Sequence, residues 1–152
     1  LTMVYMGLES GCDEVLRRMS VLVAMARESG VRLLHENEKD IFGDIPRRCL
    51  DIAQTVEQAA PGVLRLIFDP ANYVQCGVRP VDEGYDAVRP HLAYVHVKDA
   101  TLADGAVHPA GEGDGQVREL VQRLRADGFD ALGITVVSPD GIRYEVVSEE
   151  LA

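Results

Sequence analysis

Short apolar runs alternate with amphipathic segments along the whole chain, and that alternation restricts the fold more than any other feature. TMVYM at 2–6 reads as a strand. In the next segment, CDEVLRRMSVLVAMARESG, Val15, Leu16, Met19, Leu22, Val23 and Met25 or Ala26 recur at helical spacing, and Gly30 is a natural C-terminal stop. The pattern then repeats. VRLLHE at 31–36 is a second strand, and DIPRRCLDIAQTVEQAAPG gives a helix with Asp44 as N-cap and Pro46 in its first turn. VLRLIFD at 63–69 is a third strand, and a helix around 81–90 precedes LAYVHVKD at 92–99. QVRELVQRLRADG at 116–128 is the last clear helix, with Leu120, Val121 and Leu124 on one face. ALGITVVSPDGIRYEVV closes the series as a strand, a turn at SPDG and a second extended run. Strands that alternate with helices pair in parallel through right-handed crossovers, with the helices covering the sheet. Two architectures satisfy this, an open doubly wound sheet and part of a (β/α)8 barrel. A complete barrel takes roughly 250 residues, so about five βα units make a little over half of one.

At 152 residues and 47% hydrophobic content, the chain is long enough for one domain with its own core and too short for two ordinary ones. We read residues 1–152 as a single domain. The 25 acidic against 15 basic residues give a net charge of −10 without any basic cluster, which argues against nucleic acid as a partner, since that affinity comes from clustered Lys and Arg. Cys12, Cys49 and Cys76 are odd in number and form no CxxC, so neither a disulfide framework nor a structural zinc site is expected, and a reducing cytoplasm fits. No apolar stretch is long enough for a bilayer and no leader is recognised, so no membrane association is expected. A chain that begins at Leu1 leaves room for a segment upstream.

Three of the strands end in chemistry. RLLHENE finishes in His35, Glu36, Asn37 and Glu38, RLIFDPAN in Asp69 and Asn72, and AYVHVKD in His96, Lys98 and Asp99. In parallel α/β folds the carboxyl ends of the strands share one rim, so groups far apart in sequence converge there. Two carboxylates and an imidazole make a sensible ligand set for a divalent cation with positions left open for substrate oxygens, and Glu36, Asp69 and His96 are assigned to it. This mixed set does not choose between Mn²⁺, Mg²⁺, Co²⁺ and Zn²⁺. Each residue also has a plainer reading: a helix cap or loop acid for Glu36, a turn before Pro70 for Asp69, a core histidine for His96, and a rim salt bridge for Lys98 with Asp99. The coincidence of three strand ends favours the site. His35, His91 and His108 have no such support and are read as structural or surface residues. PAGEGDGQ at 109–116 is a Gly-rich loop able to offer N–H groups to an anionic oxygen, but it matches neither the P-loop nor GxGxxG. Its plainer reading is a flexible loop that caps the following helix through Asp114.

LLHENEKDIFGDIPRRCLDI, FDPANYVQCGVRP, YVHVKDA and PAGEGDGQVRELVQRLRADGFD, in this order, resemble the sugar phosphate isomerase/epimerase family, the xylose-isomerase-like TIM barrels. The similarity covers about residues 1–131 and is to the second half of the barrel, from around its fourth strand, so the domain looks truncated at its N-terminus. The resemblance implies that Glu36, Asp69 and His96 take three of four metal-ligand positions. It places Asn72 where relatives contact substrate and makes Lys98 and Asp99 part of a His-x-Lys-Asp signature, also substrate-binding. The family's last strand ends in a Glu that serves as fourth ligand and second acid/base. Here Val136 and Val137 stand in that region, and Glu145, beyond the turn, is a poor substitute.

The implied activity is isomerisation or epimerisation of a sugar or related polyhydroxy carbonyl compound, by proton transfer through an enediolate, with Glu36 as catalytic base. Two alternatives stand beside it. One is a degenerate or truncated half barrel that binds metal or ligand without turnover, or pairs with another copy through the sheet edges that missing strands expose. The other is a zinc phosphodiesterase of the endonuclease IV type, which needs more His and acidic ligands than this chain offers.

Overall fold

The computed structural model describes residues 12–129 in full and, by backbone alone, residues 132–137 and 143–148. The strand expected at 2–6 and the turn at SPDG lie outside the described residues. Helix α1 (Cys12–Ser29) follows the predicted apolar stripe: Val15, Met19, Val23 and Ala26 are buried, and Gly30 ends it at φ +65°, a backbone angle that favours glycine. Strand β1 (Leu33–Glu36) leads to α2 (Pro46–Ala59), whose Cys49, Ile52, Ala53 and Val56 face the core. Asp44 does not cap α2. The N-cap is Ile45, Pro46 opens the helix, and the Asp44 carboxylate accepts from Arg48 at 2.8 Å instead.

Strand β2 (Leu64–Phe68) runs into a helix that the sequence pattern did not reveal, α3 (Pro70–Gln75), too short to show a hydrophobic period. The helix expected around 81–90 is composite. A π-helical turn (Pro80–Tyr85), α4 (Asp86–Val88) and a 3₁₀ turn (Arg89–His91) follow one another without a break. Strand β3 (Leu92–His96) stops three residues earlier than expected, and Asp99–Ala100 (β4) pairs antiparallel with Val107–His108 (β5) in a small separate ribbon. Helix α5 (Val117–Ala126) buries Leu120 and Leu124. Its N-cap is Gln116 in the left-handed region, and Asp114, expected to cap it, accepts from the Leu102 N–H at 2.7 Å.

Strands β1, β2, β3 and β6 (Leu132–Val137) are parallel neighbours in that order, as the alternation requires. Strand β7 (Arg143–Ser148) then pairs antiparallel with β6, outside the βα rhythm. The pleat divides the sheet into two faces. Leu64, Leu66 and Phe68 of β2 and Val95 of β3 join the helices in one core, where Phe68 meets the rings of Tyr73 and Tyr85 edge-on. Alternate positions look to the other face of the sheet. No helix among the described residues is long and apolar enough to cross a membrane.

Candidate functional site

Glu36, Asp69 and His96 do converge. One ligand atom from each lies within 4.8 Å of the other two, although the first and last are 60 residues apart in sequence. The cause is topological, because β1, β2 and β3 are adjacent and parallel, so each delivers its terminal polar residue to the same rim. His96 Nδ1 is 2.8 Å from Glu36 Oε1 and 3.8 Å from Asp69 Oδ2. The Tyr94 ring stands edge-on to the imidazole, at 5.4 Å between centroids, and restricts its orientation.

Asp69 both caps a helix and faces the cluster. Its Oδ1 accepts the Asn72 N–H at 3.0 Å and caps α3, while Oδ2 turns to His96 and accepts from Lys98 Nζ at 3.0 Å. Asn72 lies in the first turn of α3 and joins the same group: its Nδ2 donates to Glu36 Oε1 at 3.4 Å and its Oδ1 accepts from Lys98 at 2.8 Å. Lys98 therefore pairs with Asp69, not with Asp99.

Asp99 sits apart from this cluster. It is fully buried, and its carboxylate is turned to the Gly-rich loop. Its Oδ1 accepts the Ala100 and Gly115 N–H groups, and its Oδ2 those of Gly111 and Gly113, all at 2.7–3.0 Å. The Gly-rich loop does present its N–H groups to an anionic oxygen, and that oxygen belongs to this chain. The glycines are required because a Cβ on Gly113 would collide with the Ala100 carbonyl, and one on Gly115 would lie 2.6 Å from Asp99 Oδ1.

Burial and charge act against each other here. Burial pushes the Glu36 carboxyl up, but His96 and Lys98 outweigh it and leave Glu36 below the usual carboxylate range. Burial likewise pushes His96 down, and the hydrogen bond and charge of Glu36 with the charge of Asp69 bring it above its ordinary value. For Asp69 burial wins, and its carboxyl is raised despite Lys98 and the Asn72 N–H. A cation held between carboxylates satisfies the same electrostatic demand that His96 and Lys98 meet here. The donor set, two carboxylates and one imidazole, suits a divalent ion.

The sequence reading gave no role to Asn37, which is wholly buried and hydrogen-bonded to Asp69. An Asn immediately after the last strand residue was the available signal, since Asn side chains replace backbone partners where regular pairing ends. His35 is buried beside the Gly43 carbonyl, away from the cluster. Val136, Val137 and Glu145 are described by backbone alone, with Thr135 opposite Glu145 and Val136 opposite Tyr144 in the β6–β7 ladder.

The model of the xylose isomerase-like TIM barrel family matches residues 6–150. The chain belongs to that family. A D-tagatose 3-epimerase-like protein superposes with a TM-score of 0.66 at 21% identity, over 81% of this chain and 46% of the other. The probable 3-DHS dehydratase AsbF, involved in petrobactin synthesis, from Bacillus anthracis gives 0.65 at 18% identity, over 80% and 52%. At these identities the likeness is one of fold, and this member of the xylose isomerase-like family spans about half the length of both structures. No curated protein matches the chain. The alternation left an open doubly wound sheet and a partial (β/α)8 barrel open, and the partial barrel that the family resemblance implied is the fold of the chain.

Proposed function

We propose that this chain carries the catalytic rim of a metal-dependent isomerase or epimerase of a sugar or related polyhydroxy carbonyl compound. The observation that supports it is the meeting of Glu36, Asp69 and His96 at the ends of three successive parallel strands. Glu36, Asp69 and His96 hold the divalent cation, which when bound polarises carbonyl and hydroxyl oxygens of the substrate. Asn72 and Lys98 have donors at the same place and orient those oxygens. Glu36, kept ionised at neutral pH, removes the proton from the carbon next to the carbonyl. The acid that returns it belongs at the end of the last strand, where the sequence has Val136 and Val137.

Those valines favour a second reading, in which the same rim binds a metal and a polyhydroxy ligand without turnover. An endonuclease-type site has less support. Among the described residues the only group of three or more potential ligands is the one at this rim.

Two measurements divide the readings. In isothermal titration with Mn²⁺, wild type binds and Glu36→Ala binds far more weakly; equal affinities remove Glu36 as a ligand. Incubation with ketohexoses in D₂O, followed by NMR, reads proton exchange next to the carbonyl, and Glu36→Gln lowers it by about two to four orders of magnitude. Metal binding without exchange selects the second reading.

A further inference from the structure

The parallel ladder between β1 and β2 ends at the pair Glu36–Ile67. Beyond it the β1 backbone turns away, with the Glu38 N–H bonded to the Glu36 carbonyl at 2.9 Å. Residue Asp69 is still extended, at φ −114° and ψ 109°, and its N–H and C=O point toward the place β1 has just left. The Asn37 side chain occupies that place. Its Oδ1 accepts the Asp69 N–H at 2.8 Å, and its Nδ2 donates to the Asp69 carbonyl at 2.8 Å. A primary amide carries a donor and an acceptor arranged like those of a peptide group, so it continues the ladder where the main chain cannot.

We propose that Asn37 is a positioning residue that sets the separation of the two carboxylates, Glu36 and Asp69. It is joined covalently to Glu36 and by two hydrogen bonds to the backbone of Asp69, so one side chain fixes both strand ends relative to each other. The β1–β2 ladder ends two residues before Asp69, and α3 reaches β1 through the long 3.4 Å contact of Asn72 with Glu36. The Asp69 Oδ1 is committed to α3 and its carbonyl also accepts from Tyr73, so past the ladder Asn37 is the side chain that ties the Asp69 backbone to β1. The amide is fully buried, so its removal takes away the acceptor of an interior N–H and the donor to an interior carbonyl. The inference rests on reading Glu36, Asp69 and His96 as a cation site.

The test compares wild type, Asn37→Ala, Asn37→Asp and, as a control for general loss of stability, the core variant Val56→Ala. Residues that orient metal ligands typically cost about 10- to 100-fold in affinity when replaced. Isothermal titration with Mn²⁺ should show a loss of that size for Asn37→Ala and a smaller one for Asn37→Asp, which keeps the acceptor for the Asp69 N–H. Val56→Ala should bind within about twofold of wild type. The metal-free proteins are read by the ¹⁵N shifts of the His96 ring, which report its contact with Glu36 Oε1. Those shifts should move in both Asn37 variants and stay in place in Val56→Ala. Unchanged affinity and unchanged His96 shifts in Asn37→Ala overturn the proposal, as does an equal loss in Val56→Ala. If Asn37→Ala does not fold, the same two readings on Asn37→Asp decide. If wild type itself takes up no Mn²⁺, the cation reading falls and the His96 shifts alone judge Asn37.

Discussion

Lys98 places its ammonium 3.0 Å from Asp69 Oδ2, a carboxylate that is 1% exposed. Such a carboxylate cannot stay ionised alone, because desolvation outweighs what a single backbone N–H returns. Lys98 therefore balances Asp69 in the metal-free protein, and its own side chain is only 12% exposed. Replacing Lys98 by Met leaves the acid without its main counter-charge. The expected cost is about 3–5 kcal/mol of unfolding free energy at neutral pH, read from urea denaturation. Saturating Mn²⁺ should recover a larger increment in Lys98→Met than in wild type, since the ion then supplies the missing charge. A loss below about 1 kcal/mol would show that Asp69 is adequately served without Lys98.

The rim was legible in the sequence because its three members stand at the ends of strands whose apolar pattern is strong. Val63 to Phe68 and Leu92 to Val97 mark where the strands run, the end of β3 falling three residues early at His96, and parallel topology does the rest. Short-range capping was less legible. Asp44 and Asp114 have the residue type and position of helix caps, yet each found a better partner in Arg48 and in the Leu102 N–H, and a cap is worth only about 1 kcal/mol. Asp99 was drawn into the site by standing beside Lys98. Lys98 joins Asp69 while Asp99 is claimed by four N–H groups, three of them from a loop more than ten residues downstream. Asn37 escaped notice because its role exists only once β1 and β2 are paired.

Asp99 gathers four N–H donors on two oxygens, and an amide cannot serve all of them. In Asp99→Asn the NH₂ group faces two donors where an acceptor stood. Each charge-assisted hydrogen bond lost costs about 1.5–3 kcal/mol. The variant should lose stability accordingly, and amide exchange at Gly111, Gly113 and Gly115 should accelerate together. Gly115→Ala should produce the same pattern, because its Cβ would crowd both Asp99 and Pro70, the residue that follows Asp69. Exchange confined to one glycine in Asp99→Asn would mean the loop is held by something other than this carboxylate.

The pair Glu36–His96 fixes how the rim responds to pH. His96 is raised above its ordinary 6.5, so its contribution to stability is whole below 6.5 and is lost as pH climbs through the folded value. Glu36 is lowered from 4.5, so its contribution is whole above 4.5 and is lost as pH falls through its folded value. Asp69 runs the other way: a carboxyl raised from 3.8 makes stability decline with rising pH until its folded value is passed. Above 6.5 Glu36 has finished titrating, and the raised His96, together with Asp69 until its folded value is passed, makes the metal-free protein lose stability as pH rises, so His96→Gln should reduce that slope. A cation needs the neutral imidazole, so Mn²⁺ affinity should rise over the same interval, with up to one proton released per ion bound. Titration calorimetry between about pH 6 and pH 8, in buffers of different ionisation enthalpy, counts that proton. An affinity that stays flat across this range, with no proton released, would remove His96 from the ligand set while leaving its hydrogen bond to Glu36 intact.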